Sequence, residues 1–287
     1  MTKADSYMIN DILNILENGY LDVKPRPKYK DGTPAHTISV NHVMRKYDLS
    51  NGEFPICTLR PMAWKTGIKE IFTIYQKPTN NLEEMRAMGV NWWDEWDIGD
   101  GTIGQRYGAT VSRYDLINNL IKDIEENPYG RRKIVSLWQE TDLHETEGLA
   151  PCAFLTIWNV RNDVNGHEYL DMCLVQRSGD MLTASGAGGI NEIQYASLLM
   201  MIARHCGYEA GVFTHFVANE QIYDRHQKQA YEMLRRAINV KNDSNDSNNP
   251  RLILNPDKTN FYDMSIDDFT LENYEPIKPQ LSLPLGI

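Results

Sequence analysis

Side chains that could act together in catalysis occur in four short motifs between residues 127 and 191. They are Arg131-Arg132, Pro151-Cys152, Arg177-Ser178 and Asn191. Arginine presents a planar fork of N–H donors that suits phosphate oxygens, and a nearby cation lowers the pKa of a thiol. The pattern therefore indicates a phosphate-bearing ligand beside a cysteine nucleophile.

Each of these residues also has an ordinary structural interpretation. A cysteine at the start of a strand is more often a core residue than a nucleophile, and a pair of arginines often marks a solvated turn. Asn191 could cap the helix that it begins. Glu70 lies in a predicted helix, where periodicity alone favours an exposed position. No single residue predicts a function, so the argument depends on their combination.

Helices and strands predicted from the sequence surround these candidates. Apolar residues at helical spacing predict helices at 6–17, 61–76, 114–126, 190–206 and 224–238. Segments rich in β-branched and aromatic residues predict strands at 133–138, 153–160, 169–176, 211–217 and 251–254. Because the two kinds do not alternate strictly, the pattern predicts an α+β fold, a single domain over residues 1–287 with a mixed β-sheet covered by helices.

Composition and charge limit the possible partners. The chain has 287 residues, and its 41% hydrophobic and 24% charged content excludes collagen-like and wholly disordered chains. A net charge of -10 disfavours binding to DNA, RNA or an anionic membrane. The longest apolar run, 198–203, is far shorter than the roughly 20 residues of a membrane helix. The N-terminus has no apolar signal core and the four cysteines have no metal-ligand spacing, so we expect a cytoplasmic protein without a metal.

Taken in order, the motifs resemble the folate-dependent thymidylate synthase family. The resemblance covers nearly the whole chain, as far as the C-terminal Pro284-Leu285-Gly286-Ile287. Its specific pieces are KEIFTIYQ (69–76), NWWDEW (91–96), GTIGQRYG (101–108), GRRKIVSLW (130–138), APCAF (150–154), VQRSGDM (175–181), NEIQYASLL (191–199) and QIYDRH (221–226). The resemblance implies a thymidylate synthase-like fold and the reductive methylation of dUMP to dTMP by 5,10-methylenetetrahydrofolate, which leaves as dihydrofolate.

The resemblance also implies roles at the reacting atoms. Cys152 matches the thiolate that adds to carbon 6 of the pyrimidine, which splits one difficult step into easier ones. Glu70 matches a glutamate that manages proton transfers, and it would work best if burial raised its pKa toward neutrality. Tyr107 matches a hydroxyl near the thiol, and Asp180 matches an aspartate with both a catalytic role and a contact with folate.

For the substrate, the resemblance implies contacts to the phosphate, the sugar and the base. Arg177 and Ser178 match phosphate contacts within one subunit, and Arg26 is a weaker match to another. Arg131 and Arg132 match a pair that reaches into the neighbouring subunit, which implies a homodimer with shared active sites. The remaining matches are Asn191 with the uracil amide edge, Gln221 and Tyr223 with the deoxyribose, and Trp93 and Ile287 with the folate.

Three departures from the family pattern affect these expectations. Ala153 and Gln221 stand where many members have histidine. The segment between Asp180 and Asn191 is unusually rich in glycine, so we expect this loop to be mobile or to let its backbone approach the folate closely.

Three other functions compete with this interpretation. A pyrimidine-nucleotide hydroxymethylase of the same superfamily would use the same cysteine and folate but let water capture the methylene. A nucleotide-binding regulator that has lost catalysis is disfavoured by the intact Cys152 and Glu70. An unrelated cysteine hydrolase would need a histidine base, and none of the seven histidines lies in a recognisable partner motif.

Overall fold

A mixed seven-stranded β-sheet is the central element of the computed structural model, which describes residues 1–238 and 249–286. The strands are β1 (Tyr20–Leu21), β2 (Thr37–Asp48), β3 (Lys133–Ser136), β4 (Ala153–Asn162), β5 (Glu168–Gln176), β6 (Gly179–Asp180), β7 (Glu209–Tyr223), β8 (Arg251–Leu254) and β9 (Phe269–Glu272). Six strands follow the order β1-β2-β7-β5-β4-β3, and β6 pairs with β7. β7 is parallel to β5 and β6, whereas the other neighbours in this sheet are antiparallel. β8 and β9 form a separate antiparallel pair.

Helices cover one face of this sheet, so the expected α+β fold is confirmed. They are α1 (Lys3–Asn18), α2 (Trp64–Ile71), α3 (Leu82–Ala87), α4 (Gly108–Arg113), α5 (Leu116–Glu126), α6 (Glu140–Glu145), α7 (Ile190–His205) and α8 (Gln227–Ile238). A π-helical turn, Phe72–Gln76, continues α2, so the predicted helix at 61–76 changes its winding midway. α1 begins in a capping box, in which Thr2 Oγ1 accepts from Asp5 N–H at 3.0 Å.

The longest apolar helix, α7, lies between α2 and the sheet. Eleven of its residues are buried, as its apolar sequence predicts. Its first turn nevertheless carries the polar residues Asn191, Glu192 and Gln194. Because a buried polar group is costly unless it is hydrogen-bonded, this end of α7 must be surrounded by matching donors and acceptors.

Two strands differ from the sequence-based expectation. β2 has no counterpart among the predicted strands, and β7 continues to Tyr223, well beyond the predicted end at residue 217. In both strands a charged residue points into the core, since Arg45 and Glu220 are fully buried and paired with each other. The prediction failed because these inward-facing charges break the alternation of apolar and polar residues that identifies a half-buried strand.

The other face of the sheet is apolar and only partly covered. Residues opposite each other in the ladders share a face, and one row across the sheet is Met44, Phe216, Val175 and Leu155. Met44 is 58% exposed, and Ile134, two residues before the end of β3, is 54% exposed. An exposed apolar sheet face of this kind is typical of a surface that packs against another protein.

No helix among residues 1–238 and 249–286 combines the length and the apolar character needed to cross a membrane. The loop predicted for 241–250 lies outside the described residues, apart from its last two positions.

Candidate active site

Cys152 lies immediately before β4, where a tyrosine and an arginine contact it. Its backbone N–H donates to the hydroxyl of Tyr107 at 3.3 Å, and Arg177 Nη2 lies 3.4 Å from its Sγ. Arg177 also donates to the carbonyls of Ala150 and Pro151, at 2.8 and 3.0 Å. The guanidinium therefore holds the segment before the cysteine and contacts the thiol at the same time.

The pKa of the Cys152 thiol is raised, whereas the sequence indicated that it would be lowered. Burial raises the pKa of Cys152, and this outweighs the opposing influence of Arg177 and Arg26. The sequence suggested that nearby arginines would lower this pKa, but an apolar environment disfavours the thiolate more strongly than the two cations favour it. A general base or a bound substrate must therefore promote formation of the nucleophile.

Glu70, near the end of α2, is buried and held by two donors. Its Oε1 accepts from the indole N–H of Trp93 at 3.0 Å, and its Oε2 accepts from Gln194 Nε2 at 2.8 Å. Burial raises the pKa of Glu70 to about 7, although the hydrogen bonds to the charged form act against this rise. The carboxyl can therefore gain and lose a proton near neutral pH, as a general acid–base group must.

Tyr107 lies between the backbone of Cys152 and Trp93, the indole that donates to Glu70. Its ring packs on Trp93, with 4.9 Å between ring centroids, while its hydroxyl contacts Cys152. The backbone of Tyr107 has φ 48 and ψ -109, a conformation that side chains rarely adopt. The pKa of its hydroxyl is raised by burial, so it remains protonated as a donor. Strain of this kind is typical of functional sites, where the surroundings hold a side chain in a required position.

Asn191, on the first turn of α7, lies within a network of amides and hydroxyls. Its Oδ1 accepts from Ser185 Oγ at 3.0 Å and lies 3.3 Å from Gln176 Nε2. Its Nδ2 donates to Gln194 Oε1 at 3.0 Å. Because Gln194 also donates to Glu70, the amide proposed to recognise the base is joined to the carboxylate through one side chain.

A third group of candidates lies where β6 pairs with β7. Ser178 Oγ and the Gln221 amide are 3.3 to 3.4 Å apart. Asp180 is opposite Gln221 in the ladder, and Tyr223 follows two residues later. Asp180 accepts from Thr183 N–H and lies 3.6 Å from His226 Nδ1. This edge of the sheet therefore presents a hydroxyl, an amide, a carboxylate and a phenol together.

The C-terminal segment reaches the same edge. The carbonyl of Pro284 accepts from His226 Nε2 at 2.7 Å. A Cβ atom at Gly286 would lie only 2.8 Å from the ring of Tyr223, so the tail passes directly over this tyrosine. Ile287, expected to contact folate, lies outside the described residues.

The arginines separate into two groups. Arg26 is exposed in the loop before β2, close enough to influence the pKa of both Cys152 and Tyr223. Arg131 and Arg132 are also exposed, but they precede Lys133, which pairs with Trp158 in the middle of β4. Six residues of extended strand separate Cys152 from Trp158, which is about 20 Å. The two arginines therefore do not join the site of their own chain.

The glycine-rich segment differs from expectation. Gly186, Gly188 and Gly189 are buried, and a Cβ at Gly188 would lie 2.2 Å from the backbone nitrogen of Cys57. Gly188 has φ 64, and its carbonyl accepts from Cys57 N–H at 3.0 Å. The close backbone approach is therefore to the protein's own core, and the expectation of a loose loop is wrong.

Gln194 and Gln176 are site residues that the sequence analysis missed. Gln194 lies three residues after Asn191, so the two side chains share a helix face, and this spacing could have identified it. Gln176 has no comparable sequence signal, because its partners come from four separate segments. Within residues 1–238 and 249–286, no group of three histidine, cysteine or acidic side chains is placed to hold a metal ion.

Comparisons with known proteins agree with this geometry. The family model described as thymidylate synthase matches residues 7–286. Thymidylate synthases of Lactococcus lactis subsp. cremoris (strain SK11) and Streptococcus pneumoniae (strain 70585) are each 49% identical to this chain, over 100% of both sequences. The solved structure of thermostable thymidylate synthase A from Bacillus subtilis matches with a TM-score of 0.86 and 32% identity, over 99% of both chains.

The raised pKa of Glu70 predicts opposite effects of Glu70→Gln on stability and on turnover. Because the unfolded carboxyl ionises near pH 4.5 and the native one near 7, the wild type loses stability as the pH rises between these values. Urea unfolding should therefore show Glu70→Gln to be more stable than the wild type by about 3 kcal/mol at pH 8, with little difference below pH 4.5. Its kcat should fall about 100-fold or more.

The exposed Glu272→Gln variant is the matched control for the loss of one carboxylate. If the stability gain of Glu70→Gln were the same at every pH, Glu70 would not ionise near neutrality.

Proposed function

Because this chain belongs to the thymidylate synthase family, we propose that its site converts dUMP and 5,10-methylenetetrahydrofolate to dTMP and dihydrofolate through a covalent bond to Cys152. The observation that carries the proposal is the contact of Tyr107 with both Cys152 and Trp93, because Trp93 holds Glu70. A nucleophile, a general acid–base group and an amide are thereby joined in one set of contacts.

In the first step, the Cys152 sulfur forms a bond to carbon 6 of the uracil ring, and carbon 5 becomes a nucleophile. Arg177 lies 3.4 Å from the sulfur and stabilises the negative charge that develops on it. Since the pKa of Cys152 is raised in the free protein, we infer that the thiol loses its proton only as the substrate arrives. This arrangement protects the thiol from other reactions.

Glu70 manages the protons at the base and the folate. Its pKa near 7 allows it to donate and accept within one catalytic cycle. The two N–H donors of Trp93 and Gln194 fix its orientation while leaving lone pairs for ordered water or ligand.

Asn191 recognises the base by its amide edge. Its Nδ2 has one hydrogen beyond the bond to Gln194. Its Oδ1 accepts from Ser185 at 3.0 Å and can accept from the ring N–H of uracil in place of the longer 3.3 Å contact with Gln176 Nε2. Cytosine offers the opposite arrangement, with an amine donor and a ring-nitrogen acceptor. A buried amide left unpaired by cytosine supplies the discrimination.

The phosphate is bound by arginines from two subunits. Arg177, Ser178 and Arg26 belong to the chain that provides Cys152, with Gln221 and Tyr223 at the deoxyribose. Arg131 and Arg132 come from a second copy, which the distance of about 20 Å to their own Cys152 supports. The exposed apolar sheet face supplies a surface on which the second copy can pack.

The folate lies beside Trp93 and under the C-terminal tail. The described contacts of Asp180 use Oδ1, which leaves Oδ2 to accept from an N–H group of the ligand. The passage of the tail over Tyr223 supports a role in excluding water, with Ile287 as its last residue. When bound, the folate supplies a methylene group and then a hydride.

Two further inferences concern the whole chain. We infer that residues 1–287 form one catalytic domain, because the large sheet contacts α1, α5, α7 and α8, and α7 in turn contacts α2. We also infer a cytoplasmic location, since the four cysteines are free thiols, as is usual in a reducing compartment.

The function is tested by the identity of the products. Incubation with dUMP and 5,10-methylenetetrahydrofolate should increase the dihydrofolate absorbance and yield a nucleotide 14 mass units heavier than dUMP, roughly one added CH₂ by formula. A nucleotide with one further oxygen, released with tetrahydrofolate, would instead identify a hydroxymethylase. Cys152→Ala should give neither product while still binding dUMP through the arginines.

Shared active sites predict complementation between inactive variants. A heterodimer of Cys152→Ala with Arg132→Glu has one site with both defects and one with none. Mixing the two chains in equal amounts should therefore restore up to about a quarter of wild-type activity in a two-fold dimer. Mixing Cys152→Ala with a chain carrying both substitutions is the control and should restore none. No recovery despite verified subunit exchange would show that Arg132 serves its own chain.

Recognition of the base by Asn191 predicts a change in substrate preference. In Asn191→Asp, a carboxyl oxygen can accept from the exocyclic amine of cytosine, so the preference for dUMP over dCMP should fall about tenfold or more. The ratio of kcat/KM values for the two nucleotides measures this preference. If the ratio is unchanged in the folded variant, another residue selects the base.

A further inference from the structure

A cluster of buried charges lies behind the active site, and the proposed mechanism does not use it. Arg45 of β2 is completely buried, and its guanidinium contacts the carboxylates of Asp11 at 2.7 Å, Glu192 at 3.4 Å and Glu220. Glu192 Oε1 is also 3.0 Å from Nδ1 of His215, which is fully buried on β7. Such a cluster is costly to bury unless hydrogen bonds satisfy its charged groups.

The cluster holds more acidic groups than cations, so it retains protons. Three carboxyl groups face one guanidinium, and burial raises the pKa of Asp11 and of Glu220. Burial also lowers the pKa of His215, while Glu192 favours its charged form. The 3.0 Å contact between Nδ1 of His215 and Glu192 therefore contains a proton, on either the nitrogen or the oxygen.

The second nitrogen of His215 connects this cluster to Gln176. Nε2 of His215 lies 3.1 Å from Oε1 of Gln176, which can only accept, so Nε2 carries a proton. The same orientation of the Gln176 amide is supported at its other end, because its Nε2 donates to the carbonyl of Ser178 at 2.9 Å. A flipped amide would bring two carbonyl oxygens together at that position.

From Gln176, the hydrogen bonds continue to Asn191 in one direction. Gln176 Nε2 donates to Ser185 Oγ at 2.7 Å, and Ser185 Oγ donates to Asn191 Oδ1 at 3.0 Å. We call His215, Gln176, Ser185 and Asn191 the orienting chain. Along this chain each side chain accepts a hydrogen bond from one neighbour and donates one to the next. A proton on His215 Nε2 therefore requires the Asn191 oxygen to face Ser185.

Hydrogen bonds to the Nδ2 side of Asn191 favour the same orientation of its amide. Its Nδ2 donates to Gln194 Oε1, and Gln194 Nε2 donates to Glu70. An ionised Glu70 can only accept, so it requires the same orientation of Gln194 and thus of Asn191. Two acid–base groups at opposite ends therefore specify one orientation of the amide that faces the base.

We propose that His215, held by Glu192, is a positioning residue that fixes the Asn191 amide in the orientation complementary to uracil and thereby excludes cytosine. This inference rests on the proposed recognition of the base by Asn191. If the proton on Nε2 of His215 is removed, Gln176 loses the donor to its oxygen. With that donor gone, Ser178 alone would orient Gln176, and a larger share of molecules would present the Asn191 oxygen where the amine of cytosine lies.

Two amide substitutions at residue 215 separate this role from a purely structural one. In His215→Gln, the side-chain nitrogen takes the place of Nε2 and still donates to Gln176, although the bond to Glu192 is lost. In His215→Asn, the shorter amide takes the place of Nδ1 and still donates to Glu192, although the bond to Gln176 is lost. Both variants remove the same ring from the core and serve as controls for each other.

The measurement is the ratio of the dissociation constants for dCMP and dUMP, with thermal unfolding recorded for each variant. His215→Asn should lower this ratio about fivefold or more, mainly through weaker binding of dUMP, whereas His215→Gln should keep it within about twofold of the wild type. An unchanged ratio in His215→Asn, or an equal fall in both variants, would overturn the proposal.

A third variant keeps the test decisive if His215→Asn does not fold. Ser185→Ala removes the shorter route from Gln176 to Asn191 without altering any charge and leaves only the 3.3 Å contact of Gln176 Nε2 with Asn191 Oδ1, so the ratio should fall in the same direction. An unchanged ratio in that variant would overturn the proposal as well. Failure of the proposed function is a separate outcome, since the wild-type protein would then show no preference for dUMP.

Discussion

Burial of polar side chains at the start of α7 is the constraint on which the site depends. Glu192 and Gln194 enter the core on the same helical turn as the half-buried Asn191, and the two buried groups could not remain there without hydrogen-bonded partners. Glu192 is paired with Arg45, and Gln194 with Glu70. The site is therefore built into the packing of the fold, and its polar groups are oriented before any ligand arrives, which is the arrangement that electrostatic catalysis requires.

Burial also determines the acid–base properties of the site. The pKa of Glu70 rises to about 7 and that of the Cys152 thiol rises as well, because both groups lie in an apolar environment. For Glu70 the rise creates a group that can exchange protons at neutral pH. For Cys152 it opposes the reactive form, so the nearby Arg177 and the arriving substrate must contribute to thiolate formation.

The register of β4 divides the phosphate-binding candidates between two places. Cys152 is next to the residue that begins this strand, and the arginine pair precedes β3, which pairs with the middle of β4. Since strands are rigid on this scale, no local movement brings Arg131 or Arg132 to their own cysteine. Together with the exposed apolar sheet face, this register supports the proposal that a second copy of the chain contributes to the site.

The sequence by itself determined the family, the α+β class and most residues around Cys152, because short motifs with unusual combinations of residues are recognisable without coordinates. It did not reveal β2 or the full length of β7, where Arg45 and Glu220 point inward and remove the alternating pattern of a half-buried strand. The apolar periodicity of its helix predicted an exposed position for Glu70, and the glycine content of the segment between Asp180 and Asn191 predicted a mobile loop. Only the tertiary structure showed that both are buried, because burial depends on neighbours from distant segments. The partners of Gln176 were hidden for the same reason, since a hydrogen bond between separate strands and helices leaves no local pattern in the chain.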